Sequence, residues 1–145
     1  MTEINIGGRK IPLFYSTYEL IAIQKEIGCN GHQLRDEVFG IVQEDEDDPM
    51  SIRLKCVTEG DRTEKLVRLI RILGNAGLEE QGEEPDLTDK WIMKHMKPGL
   101  IMIYAMAALA VVNEGNKLET PESEEEKQPV DEVLEEQNAK KQPGN

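Results

Sequence analysis

From Pro98 to Asn113 the chain reads PGLIMIYAMAALAVVN, and none of the 13 residues from Leu100 to Val112 is charged or strongly polar. A helix with no polar face must be enclosed by protein or by lipid. At about 1.5 Å per residue the run spans about 20 Å, short of the roughly 30 Å of a bilayer's hydrocarbon core. The expectation is therefore a helix buried at the centre of the fold. Pro98 suits its first turn, where a missing N–H costs nothing, and Glu114-Gly115-Asn116 supplies the stop. Ala105, Ala107, Ala108 and Ala110 are small enough to let neighbouring helices approach closely. The other use of such a helix is a contact surface that stays open until a partner covers it. Large exposed apolar patches are rare on soluble proteins, which favours the core.

The rest of the composition narrows the classes. A chain of 145 residues suits one domain and can bury a core without disulfides or metal. Its 29 acidic and 17 basic residues give a net charge of −12, which opposes binding to phosphate backbones, so no nucleic-acid partner is expected. The opening MTEINIGGRK lacks the long apolar stretch of a signal peptide, and no stretch reaches membrane-spanning length, so the expected location is the cytoplasm. Cys29 and Cys56 are too few for a disulfide framework and are expected to be free thiols.

Taken in order, Thr2 to Phe14 reads as a hairpin closed by Gly7-Gly8, which supplies the positive φ angles of a two-residue turn. That turn pairs Ile6 with Arg9 and Ile4 with Ile11, and places Ile4, Ile6, Ile11 and Leu13 on one face. Pro12 then falls in a non-hydrogen-bonded pair, so no further strand is expected beside it. Ser16-Thr17-Tyr18-Glu19 has the spacing of a capping box and opens a helix through Leu20, Ile23 and Ile27 that stops at Gly28. Asn30 with Gln33 caps a second helix whose apolar set is Leu34, Val38, Ile41 and Val42, weakened by Gly40. Glu44 to Asp48 is an acidic surface turn without the alternating ligands of a calcium loop. Residues 51–57 alternate with a period of two and read as a third strand.

Asp61-Arg62-Thr63-Glu64 repeats the capping pattern, and Leu66, Leu69, Ile70 and Leu73 follow at helical spacing. The outer face of that helix carries Arg62, Lys65, Arg68 and Arg71, a basic row in an acidic chain. Two uses compete for it: pairing with the protein's own acids, such as the 44–48 turn, or docking an acidic partner segment. These four residues are the candidate partner-binding residues. Gly74-Asn75-Ala76-Gly77 is expected to end or kink the helix, and 79–86 to be an exposed connection. Thr88 caps a short helix from Asp89 to about Met96, with Trp91, Ile92 and Met96 available for burial. From Lys117 onward the chain is acidic and proline-punctuated, which points to a disordered tail over 117–145 in which Val130, Val133 and Leu134 form a helix only on a partner. The fold class expected is α+β: an N-terminal hairpin, with a third strand at 51–57, packed on four to five helices within residues 1–116.

No constellation calls for a reaction. Cys29-x-x-His32 with Cys56 and His95 totals four soft ligands, but the last two are isolated, whereas structural zinc sites pair their ligands closely. No phosphate loop, G-x-S-x-G, G-x-G-x-x-G or H-E-x-x-H pattern occurs. Met93, Met96, Met102 and Met106 offer an adaptable groove or, more commonly, core filling. The residues point to a binding protein without cofactor, metal or catalytic groups.

The hairpin built on Gly-Gly/Arg-Lys-Ile-Pro-Leu-Phe, the Ser-Thr-Tyr-Glu-Leu helix start and the stretch ILGNAGLEEQGEEPDLTDKWIMKHMKPGLIMIYAMAALAVV resemble the tail assembly chaperones of long-tailed bacteriophages of Gram-positive hosts. Together they cover most of residues 1–116. The resemblance implies a cytoplasmic, non-catalytic assembly factor that coats the tape measure protein and helps tail tube subunits polymerise around it; a homo-oligomer is a further possible partner state. A small acidic inhibitor or DNA mimic directed at a host enzyme is the alternative, and would display its carboxylates in ordered rows.

Overall fold

The centre of the structure is the helix that carries the basic row. In the computed structural model, which describes residues 1–118, it spans Gly60–Glu80 (21 residues) and is labelled α2 below. Leu66, Leu69, Ile70 and Leu73 are fully buried. At about 1.5–3 kcal/mol per fully buried aliphatic side chain, this row is the largest local contribution to the core. Between Arg62 and Glu79 a polar stripe of Arg62, Lys65, Arg68, Arg71, Asn75 and Glu79 stays at the surface, and much of the rest of the domain packs against the remainder.

Gly74 and Gly77 do not end this helix, contrary to the sequence expectation. They lie buried inside it, where they make room for a strand. A Cβ at position 77 would overlap the Pro12 carbonyl group, and one at position 74 would stand 2.9 Å from Ile11 Cγ2 and 2.7 Å from Leu87 Cδ1. Close backbone approach outweighs the roughly 1 kcal/mol per glycine that helix propensity disfavours. The helix also starts earlier than the Asp61 pattern implied, with Glu59 at the cap position.

The strand that lies there is β2 (Arg9–Pro12), paired antiparallel with β1 (Glu3–Ile6) in the expected register, Ile4 with Ile11 and Ile6 with Arg9. Gly7 and Gly8 have φ of 60° and 82°. Ile4, Ile6, Ile11 and Leu13 are all buried, and this sheet stops at two strands. Phe14 N–H then donates to the Leu73 carbonyl at 3.1 Å, which seats the chain on α2. Helix α1 (Thr17–Glu26) opens on the expected capping box, with Ser16 N–H donating to Glu19 Oε1 at 2.8 Å, and its following turn ends at Gly28 with φ 90°.

The segment after α1 departs from expectation. Asn30 and Gln33 do cap each other, but the helix they open is a single π-helical turn, Arg35–Phe39. Gly40 stops it in the left-handed region at φ 60°, ψ 57°. Ile41 and Val42, expected on the helix, form strand β3 (Ile41–Gln43), which pairs with β4 (Ile52–Leu54). The third strand expected at 51–57 is thus shorter, belongs to a separate two-stranded sheet and runs into a 3-10 turn at Lys55–Val57. The acidic turn between β3 and β4 caps itself: Asp45 Oδ1 accepts from Asp47 N–H at 3.0 Å and Asp48 Oδ1 from Met50 N–H at 2.9 Å.

Thr88 Oγ accepts from Trp91 N–H at 3.1 Å and caps α3 (Asp89–His95), which buries Ile92 and, just beyond its end, Met96. The connection before it is clamped by Asn75, whose amide accepts from Leu87 N–H at 2.9 Å and donates to Leu87 O at 3.2 Å. Pro98–Leu100 forms a 3-10 turn and α4 (Ile101–Gly115) follows. The architecture is α+β: two small antiparallel sheets around a helical core. Of the tail expected over 117–145, only Lys117 and Leu118 fall within the described residues.

Candidate docking surface

Helix α4 is half buried and half bare. Ile101, Tyr104, Ala105, Ala108, Leu109 and Val112 face the protein. Tyr104 donates its hydroxyl hydrogen to Asn5 O at 2.8 Å; at the other end Asn116 accepts from Tyr15 OH at 3.2 Å and donates to Gly31 O at 3.3 Å. The helix is therefore pinned at both ends. The opposite side carries Leu100, Met102, Ile103 and Met106 at 37, 42, 60 and 47% exposure, continued by exposed Ala110 and half-buried Ala107 and Val111.

This corrects the expectation of a fully enclosed central helix. The 3.6-residue period divides any helix lying on a core into an inner and an outer side. Here the sequence places apolar residues on both. Sequence alone could not tell the two sides apart, because the signal that separates them, a polar stripe, is missing. The expectation that the methionines fill the core fails with it: Met96 is buried, whereas Met93, Met102 and Met106 are exposed. Pro98–Gly115 is the one helix among the described residues long and apolar enough, by length and composition, to cross a membrane. A second apolar spot, Tyr18 and Ile21 on α1, lines a hollow of about 340 Å³ with Ala22, Lys25 and Glu26.

The basic row has acids of its own. Arg62 pairs with Glu59 at 2.8 Å and also donates to the Asp36 carbonyl, Lys65 lies 4.0 Å from Glu37, and Arg68 lies 3.9 Å from Asp89. Arg71 bridges Glu26 at 2.5 Å and Asp89 at 2.6 Å, so one guanidinium ties α1 and α3 to α2. Burial alone would lower the Arg71 pKa, but the hydrogen bonds it donates to Glu26 and Asp89, with their negative charge, outweigh it and the pKa is raised. The acidic 44–48 turn is not the counterpart of this row; its Glu44 pairs instead with Arg53 on β4 at 2.8 Å. Arg71→Gln is expected to lower stability by about 1–2 kcal/mol, between the values of exposed and buried pairs, because Glu26 and Asp89 lose the cation shared between them. A chemical-denaturation midpoint equal to that of the wild type would reduce this triad to an ordinary surface pair.

The soft ligands are not assembled. Cys29 and Cys56 are buried free thiols, and burial pushes the Cys56 thiol up to about 11, leaving it almost wholly protonated at neutral pH. His32 is exposed, and His95 stacks on Trp91 at 4.5 Å while its Nδ1 meets Trp91 O at 2.8 Å. Among the described residues no group of three or more His, Cys, Asp or Glu side chains is placed to hold a metal ion. Comparison of the chain with protein-family models, with curated proteins and with solved structures returned no match.

Proposed function

We propose that this protein is a non-catalytic tail assembly chaperone of a long-tailed bacteriophage, which binds the tape measure protein in the host cytoplasm and assists tail tube assembly around it. The observation that carries the reading is the outer side of α4, an apolar row of Leu100, Met102, Ile103, Met106 and Ala110 on a helix held rigidly at both ends. A firm apolar ridge rich in methionine suits a long helical client offering apolar stripes in many local variants. The resemblance of the hairpin and of the 72–112 stretch to this chaperone family points the same way. A net charge of −12 keeps coated complexes apart, which fits a factor that holds an aggregation-prone client in solution.

Arg62, Lys65, Arg68 and Arg71 enter this reading only as weak steering groups, since each already faces an acid or carbonyl of its own chain. Steering acts on association rate and fades beyond about 8 Å at physiological salt. The acidic-inhibitor alternative has less support, because Glu26, Glu37, Glu44, Glu59, Asp86 and Asp89 are engaged by basic side chains of the same chain. Mixing the purified full chain with the tape measure protein of its phage should give a soluble complex, and the double variant Ile103→Asp/Met106→Asp should weaken it at least tenfold. If the wild-type proteins fail to associate at micromolar concentration and low salt, the chaperone reading falls.

A further inference from the structure

We propose that residues 122–136 of this chain bind the lysine face at α3, formed by Lys90, Lys94 and Lys97. The basic row on α2 is not free to take an acidic segment, since each of its cations already meets an acid of the fold. The cations at α3 are placed differently. Among the described residues none of Lys90, Lys94 and Lys97 pairs with an acid. The acids nearest them in sequence are engaged elsewhere, Asp86 by Arg9 and Asp89 by Arg71. The other cations without such a pair, Lys10, Lys25, Arg35 and Lys55, come one each from four separate elements.

The helix itself does not account for this placement. Lys90 lies in the first turn of α3, where the helix dipole disfavours a cation. Lys94 stands one turn further along the same side, away from buried Ile92, and like charges at that spacing repel. All three lysines are exposed, and Met93 lies among them at 47% exposure. Lys97 also edges a hollow of about 290 Å³ beside Gly7, Gly8, His95 and Leu100. The face is thus cationic with an apolar spot. Residues 122–136 read ESEEEKQPVDEVLEE, eight acids against one lysine, with Val130, Val133 and Leu134 between them. That is the same mixture with the sign reversed.

The lengths agree as well. Leu118 lies just past the carboxyl end of α4, and Lys97 stands before its amino end. The 15 residues of α4 span about 22 Å, which an extended chain covers in about seven residues. Counted from Leu118, that distance ends within the run from Glu122 to Glu126. Exposed charge pairs are individually weak, yet a short tether holds the segment at a millimolar effective concentration, so weak contacts suffice. An acidic segment of any partner then reaches these lysines only by displacing this one. The contact does not depend on the client being the tape measure protein.

A nitroxide on Ser123→Cys in the full chain tests this, because Cys29 and Cys56 are buried and do not compete for the label. The label should broaden the amide resonances of Lys90, Lys94 and Lys97 more than those of Arg62, Lys65, Arg68 and Arg71. The broadening should fall roughly threefold between about 50 and 500 mM salt, as screening shortens the reach of each charge. Lys90→Gln/Lys94→Gln/Lys97→Gln should abolish it with an unchanged melting temperature, since the three side chains are exposed. Glu124→Gln/Glu125→Gln/Glu126→Gln, which leaves the described domain untouched, should weaken it too. Broadening spread evenly over the surface, centred on the α2 row, or unchanged in either triple variant overturns the proposal. Broadening seen only between a labelled copy and a second, isotope-enriched copy assigns the contact to another molecule and overturns it equally.

Discussion

Gly77→Ala is expected to cost about 3 kcal/mol or more, although helix propensity taken alone favours alanine by about 1 kcal/mol. The added methyl would overlap the Pro12 carbonyl, and both sides of that contact are backbone, one in the last turn of α2 and the other at the end of β2. No side chain can turn away to relieve it. Helix and strand would have to separate, loosening the buried strand residues from the core face of α2. For a fold of about a hundred residues such a loss lowers the melting temperature by roughly 10 °C or more. Gly74→Ala serves as the control, because its nearest neighbours, Leu87 Cδ1 and Ile11 Cγ2, are side-chain ends. A melting temperature for Gly77→Ala at or above that of the wild type would show that α2 and β2 are not in this contact.

The second large effect separates the two sides of α4. Leu109 lies on the inner side, and Leu109→Asp should remove several kcal/mol by placing an unpaired charge against the core. Ile103 lies on the outer side at 60% exposure, and Ile103→Asp should leave thermal stability within about 0.5 kcal/mol while weakening association with the client. The contrast is read by calorimetry and sedimentation on the same two proteins. Equal melting temperatures for the two variants would remove the distinction between the sides, and with it the chaperone surface.

Local signals in the sequence were legible where a few neighbouring residues settle the backbone. Gly7-Gly8 determined the hairpin register, Ser16 with Glu19 the start of α1, and Thr88 the start of α3. What was not legible depended on distant neighbours. Gly74 and Gly77 look like breakers until β2 is seen lying on them. Gly40 looked like a weak point in a helix, yet it ends one in the left-handed region at φ 60°, and a Cβ there would also stand 2.6 Å from Lys55 Cβ on the strand-turn opposite. The basic row was visible as a pattern, but its partners Glu26, Glu37 and Asp89 come from three other elements, and no spacing rule announces them. Of the candidate surface, the residues were plain in the sequence and their division between inside and outside was not.

The hydrogen bonds that pin α4 also set a schedule for making the molecule. Tyr15 waits for Asn116 and the Asn5 carbonyl waits for Tyr104, partners 101 and 99 residues further along. At a synthesis rate of about 5–20 residues per second, some 5–20 s pass between the emergence of the hairpin from the ribosome and the arrival of the helix that closes over it. During that interval Ile4 and Ile6 have no α4 to cover them, and the nascent chain presents the apolar face of the hairpin to its surroundings. Pairings so far apart in sequence also slow refolding from denaturant, since the long loop must close before either contact repays it.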